Sequence, residues 1–121
     1  MYILFALLFA KHFALDYPLQ TPWMLRKSDR TGWLAPLTAH AWGHAFFTGV
    51  ILLLFSDLEF AVAMMVVDFV AHWSIDYWKA QRTSSEFGSP AFWNYLGLDQ
   101  LFHNLTYLAI IFMYSLYMTG L

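Results

Sequence analysis

Four pairs of metal-capable side chains recur at one spacing in this chain. His12 and Asp16, His40 and His44, His72 and Asp76, and Asp99 and His103 each stand at i, i+4, and Asp68 lies one such step before His72. On an α-helix i and i+4 share a face, roughly 6 Å apart along the axis at a rise of about 1.5 Å per residue. Imidazole and carboxylate without thiolate suit zinc, manganese or iron, and an HxxxH pair on one helix is a known way to hold zinc. A single histidine in an apolar helix reads as a packing residue. Every histidine of the chain belongs to a pair, and each apolar segment brings one pair to a similar depth. That coincidence favours a metal centre over a buried polar network that merely locks the helices or an Asp/His proton relay.

The chemistry can be narrowed further. Di-iron carboxylate bundles use Glu and Glu-x-x-His, whereas both glutamates here, Glu59 and Glu86, lie in or beside loops. The expected metal ligands are His12, Asp16, His40, His44, His72, Asp76 and His103. They exceed the need of one tetrahedral ion and suit two ions sharing a carboxylate, zinc first and manganese or iron as alternatives. Asp68 and Asp99 remain as surplus carboxylates to orient a ligand or act as general base. Lys27, Lys79 and Arg26 fall at the same face, where they read either as a phosphate-binding set or as anchors at a membrane surface. Gln20 and Gln100 are candidate hydrogen-bond donors to the ligands, and Asn104 is placed to line the site.

The elements that must position these groups look made for lipid. Of 121 residues 60% are hydrophobic and only 12% charged, against about 25% charged in soluble domains. The apolar residues fall in runs at about 1–17, 37–55, 58–78 and 98–121, with a short interfacial helix expected at 91–97 and a polar loop at 83–90. The expected fold is all-α, a four-helix transmembrane bundle forming one integral membrane domain over residues 1–121. A cleaved signal peptide fits residues 1–17 poorly, because no positive residue precedes the apolar run and no small-x-small site stands out. The absence of cysteine excludes disulfides and thiolate sites. A net charge of −2 without a basic patch excludes nucleic acid as a partner.

All six Lys and Arg read as lying in or beside the loops at 17–36 and 79–90, while the turn at 56–59 carries only acids. The positive-inside rule then puts the first and third loops in the cytoplasm and both termini on the far side of an inner membrane. Trp23, Trp33, Trp42, Trp73, Trp78 and Trp93 would form an aromatic belt at that cytoplasmic face.

The ordered set His12-x-x-x-Asp16-x-x-Leu19-Gln20, Lys27, His40-x-x-x-His44, His72-x-x-x-Asp76-x-x-Lys79 and Asp99-Gln100-x-x-His103 resembles a family of small bacterial and phage membrane proteins of unknown function. More distantly the pattern is similar to membrane-bound metal-dependent hydrolases, which also place His and Asp at helical spacing in several membrane helices. The matching residues are His12, Asp16, His40, His44, His72, Asp76, Asp99 and His103; Asp68 falls outside the motif. The resemblance implies hydrolysis, and location beside the bilayer suggests a lipid or lipid-linked phosphate or acyl ester as substrate. Two other readings stay open. In one, the pairs hold an ion, a haem or a pigment in a non-catalytic subunit of a larger membrane complex, since two facing histidines can ligate haem. In the other, they form a transport pathway, which the almost wholly apolar far halves of the segments disfavour.

Overall fold

The computed structural model describes residues 1–82 and 87–120, and among them every regular element is helical. There are five α-helices: α1 (Tyr2–Asp16), α2 (Pro22–Leu25), α3 (Leu34–Leu52), α4 (Leu58–Ala80) and α5 (Pro90–Thr119). A 3-10 turn, Arg26–Ser28, follows α2. Helix starts follow local capping chemistry. The hydroxyl of Thr21 accepts from Met24 N–H, the carboxylate of Asp57 from Phe60 N–H, and the hydroxyl of Ser89 from Phe92 N–H. Each satisfies a donor that the first helical turn leaves free. Pro22 and Pro90 stand at the starts of α2 and α5, where a missing N–H costs nothing. α5 stops at Gly120, whose φ of 72° is a conformation glycine adopts without penalty.

Several boundaries depart from the sequence reading. α3 begins at Leu34, before Pro36, and ends at Leu52. Proline is tolerated in a first turn, so Pro36 does not mark the helix start. The expected break between an interfacial helix at 91–97 and a segment from 98 is absent. One 30-residue helix runs through Gly97, where a single glycine costs only about 1 kcal/mol. The first loop is partly helical rather than irregular. Of the expected polar loop at 83–90, residues 83–86 lie outside the described residues, as does Leu121 at the end of the fourth segment.

Among the described residues, only α4 and α5 are both long and apolar enough to cross a membrane by themselves. The 15 residues of α1 reach about 22 Å at 1.5 Å per residue, short of a ~30 Å hydrocarbon core. The polar His40, His44, Thr38 and Thr48 dilute α3. The outer surface of the helices is nonetheless greasy: Val50, Leu53, Val66, Val70, Leu105 and Phe112 are all exposed.

The four long helices form a closed ring. α1 packs on α3 and α5, α4 packs on α3 and α5, and neither diagonal pair approaches within 8 Å at Cα among the described residues. The centre of the ring is therefore filled by side chains, in two layers. At the end holding the α3–α4 turn, Leu4, Leu8, Leu52, Ala61, Met64, Ile110, Ile111 and Tyr114 make an apolar core. At the other end the filling is polar: all five histidines, with Lys11, Asp68, Asp76 and Asp99, are buried. Tyr107 stands at the boundary, its ring in the apolar core and its hydroxyl among the polar groups.

Candidate metal centre

Each long helix delivers its polar stripe inward. α1 brings His12 and Asp16; α3 brings His40, His44 and Thr48; α4 brings Asp68, His72 and Asp76; α5 brings Asp99, His103 and Tyr107. In three helices the stripe is thus a run of three residues at i, i+4, i+8. Burying so many polar groups is costly unless each is paired, and most are.

The ligand-capable atoms fall into three overlapping groups, each with its members within 4.8 Å of one another: Asp16, His40, His44 and His72; His12, His72 and His103; and Asp16, Asp99 and His103. The imidazoles form a stack through the middle of the ring. His44 and His72 lie 3.7 Å apart between centroids at 29°, His72 and His103 4.1 Å apart, and His12 and His103 4.7 Å apart.

Carboxylates surround the stack. Asp16 Oδ1 accepts from His40 Nε2 at 3.1 Å. The same oxygen lies 3.1 Å from His44 Nε2, outside the direction of that ring's hydrogen bond, since His44 Nε2 has no hydrogen-bond partner. Asp76 Oδ1 lies 3.2 Å from His103 Nε2, and Asp76 Oδ2 lies 3.4 Å from His40 Nε2. Five fully buried atoms have no hydrogen-bond partner among the described residues: both ring nitrogens of His44, both of His72, and Asp99 Oδ1, although His72 Nε2 lies 3.8 Å from Asp76 Oδ2 and Asp99 Oδ1 3.5 Å from His103 Nε2. An unmade buried hydrogen bond costs about 1–3 kcal/mol, and these five atoms leave the cluster with unused capacity to bind. Imidazole nitrogens and carboxylate oxygens converging within a coordination sphere fit a divalent ion.

The mouth of the ring is a pocket of about 270 Å³ lined by Asp16, Gln20, Lys27, Asp76, Lys79 and Gln100, among others. Two lysines reach across it to the carboxylates. Lys27 donates to Asp76, and Lys79 Nζ donates to Asp99 Oδ2 at 3.0 Å. Gln20, in the amide orientation that its neighbours require, accepts from Lys27 and donates to the Asp16 carbonyl, each at 3.1 Å. The Gln100 amide donates to Asp16 Oδ2 and Asp99 Oδ2. Arg26 instead pairs with Asp29 on the exposed surface. Asn104 is half-buried and belongs to none of the ligand groups.

Asp68 also lies outside those groups. It sits at the floor, where Lys11 Nζ (3.2 Å) and the Thr48 hydroxyl donate to its Oδ2. Lys11 corrects the expectation that all basic residues lie in or beside loops: it is buried inside α1. Its Nζ is satisfied by Asp68, by the His44 carbonyl at 3.2 Å and by the Tyr107 hydroxyl at 2.9 Å. Lys11, Thr48 and Tyr107 were not singled out from the sequence. For Thr48 and Tyr107 the signal was there, since each extends an HxxxH or DxxxH pair by one more step of four.

The family described as protein of unknown function DUF3307 matches the chain over residues 3–120. No curated protein and no solved structure matches it.

Proposed function

We propose that this chain, which belongs to the DUF3307 family, is a membrane-embedded metal-dependent hydrolase whose His/Asp centre opens at the cytoplasmic face. The observation that carries the reading is the set of partnerless nitrogens on His44 and His72, buried against Asp16 and within reach of His40. Zinc is the favoured ion, with manganese or iron as alternatives, because the donors are imidazole and carboxylate alone. The ligand set is large enough for two ions. A bound ion would lower the pKa of a water toward neutrality and polarise an ester or phosphoryl oxygen.

The chain's own residues take distinct parts. Asp99 has one oxygen anchored by Lys79 and Gln100, and the other, 3.5 Å from His103 Nε2, without a hydrogen bond, which suits it to accept a proton at the mouth. Lys27 and Lys79 line the pocket and supply the charge to receive a phosphate. Gln20 and Gln100 hold Lys27 and the carboxylates in place. Asp68 balances Lys11 at the floor and takes no part in proton transfer. The substrate is a lipid or lipid-linked phosphate or acyl ester arriving at the pocket from the adjacent leaflet.

The apolar outer surface and the polar interior support reading the bundle as embedded in a bilayer, with α4 and α5 as its full spans. Arg26, Lys27, Arg30, Lys79 and Arg82 flank the mouth end, and the positive-inside rule supports a cytoplasmic reading of it. An open pocket on the ligands favours catalysis over a closed structural site. The alternative, a non-catalytic subunit holding an ion, haem or pigment, would be signalled by a visible absorption band and no turnover. Protein purified in detergent without chelator is expected to carry close to two transition-metal ions per chain and to hydrolyse a phosphate or acyl ester. The double variant His44→Ala with Asp76→Ala is expected to carry none; unchanged metal content in it removes the site.

A further inference from the structure

His12 differs from the other imidazoles in the cluster: both of its nitrogens are engaged by protein. Nδ1 lies 3.1 Å from the Tyr107 hydroxyl, and Nε2 lies 3.3 Å from Gln100 Oε1 and 3.2 Å from Asp16 Oδ2. The direction of each bond can be worked out from groups whose roles are fixed. The Gln100 amide nitrogen faces two carboxylates, Asp16 and Asp99, at 3.2 and 3.0 Å. Carboxylates accept only, so the NH2 end must point at them and the carbonyl end at His12. A carbonyl oxygen cannot donate, and Asp16 Oδ2 also accepts, so His12 Nε2 must carry a proton.

The other side closes the same way. Lys11 Nζ has donors only, so the Tyr107 oxygen accepts from it. The one proton of Tyr107 then has a single remaining outlet within reach, His12 Nδ1, which must be bare to receive it. The chain of donation runs from Lys11 to Tyr107, to His12, to Gln100, and on to Asp16 and Asp99.

We infer that Lys11 and Tyr107 are positioning residues that fix His12 as its Nε2–H tautomer, so that His12 donates a hydrogen bond beside the metal ligands and is not itself a ligand. The inference deepens the metal-centre reading and rests on it for the word ligand; the tautomer itself stands on the hydrogen bonds. Asp16, His40, His44 and His72 then make up the principal ion site, three imidazoles and one carboxylate, a number that suits tetrahedral zinc. The His12 N–H donates to the Gln100 carbonyl, and the Gln100 amide NH2 in turn holds the Asp16 carboxylate in orientation, so His12 acts on that ligand through Gln100.

Two measurements on the full chain in detergent test this. Histidine labelled with 15N, with the His12 signals assigned by their loss in His12→Gln, reads the tautomer directly. The expected result is a proton on Nε2 and none on Nδ1, and a growing Nδ1–H population in Tyr107→Phe. A proton on Nδ1 with Nε2 bare in the unaltered chain overturns the inference.

Zinc titration supplies the second. His12→Gln is expected to keep the zinc stoichiometry with affinity weakened about 10-fold, whereas His72→Gln loses a site. Equal loss of zinc in both variants overturns the inference. Should the unaltered chain take up no zinc, the metal reading falls and the donor role of His12 as a neighbour of ligands falls with it, while the labelled spectra still decide the tautomer.

Discussion

His44 and His72 come from neighbouring helices and lie nearly ring on ring, 3.7 Å between centroids, with none of their four nitrogens hydrogen-bonded. Two imidazoles in that relation gain little from each other. Their nitrogens need either an ion or ordered water, and an ion satisfies several at once. Zinc is therefore expected to raise the unfolding temperature of metal-free protein, and at 100 times the dissociation constant the gain is about 2.7 kcal/mol. His72→Ala is expected to abolish the increment. Thermal scans with and without zinc, for both proteins, check it; an equal response in the two would place the binding elsewhere.

The floor of the site makes a second prediction. Lys11 and Asp68 form a buried ion pair, both side chains almost fully enclosed. Removing one partner leaves a buried charge without compensation, so Lys11→Met is expected to cost about 3–5 kcal/mol. Lys11→Met combined with Asp68→Leu is expected to recover most of that loss, because an apolar pair needs no compensation. Denaturation in mixed micelles measures the cycle, and a double variant as unstable as the single one would mean that Lys11 matters through Tyr107 and His44 instead.

At the far end, Asp57 caps α4. The Phe60 amide, and then the Tyr117 hydroxyl, hold its carboxyl below the ordinary carboxylate range. A depressed folded-state value means the stabilisation is fully present above the unfolded-state value and is lost as pH falls through the folded one. The stability difference between the unaltered chain and Asp57→Asn is thus expected to be constant at neutral pH and to shrink on acidification. Unfolding midpoints between neutral and strongly acidic pH provide the test, and a difference that grows toward acid would contradict the assignment.

Gly49 sets the approach of α3 to α4. A Cβ there would lie 3.2 Å from Met65 Sδ and 3.5 Å from Met65 Cβ and Cγ. The nearest atom belongs to a pliable side chain, and alanine favours helix by about 1 kcal/mol over glycine, so Gly49→Ala is expected to be close to neutral. Gly49→Leu has no room without parting the helices and is expected to cost about 1–3 kcal/mol. Unfolding measurements on the two variants separate the cases.

Much of this was readable from the chain itself. The i, i+4 pairs named the side chains that line the ring, because that spacing fixes a shared face whatever the fold. Spacing does not fix how far each helix rotates about its axis, so the sequence could not say which groups would meet. Asp68 illustrates the gap: it lies on the stripe of His72 and Asp76, yet one turn deeper it meets Lys11 rather than an imidazole. Lys11 went unrecognised because it sits one residue before His12, off the i, i+4 stripe, and a basic residue near the end of a hydrophobic run resembles a surface anchor. The separate interfacial helix expected at 91–97 merges into the segment that follows, because Ser89 and Pro90 supply one helix start upstream and nothing interrupts the helix at Gly97.

The ring without diagonal contacts has a further consequence. With no backbone meeting backbone across the centre, the spacing of opposite helices at the mouth is set by how the imidazoles and carboxylates fit together. On the proposed metal reading, an ion bound to those nitrogens would act as a spacer as well as a guest. Exchanging it for a larger or smaller one would widen or narrow the entrance itself, so the width of the door depends on the occupant of the room.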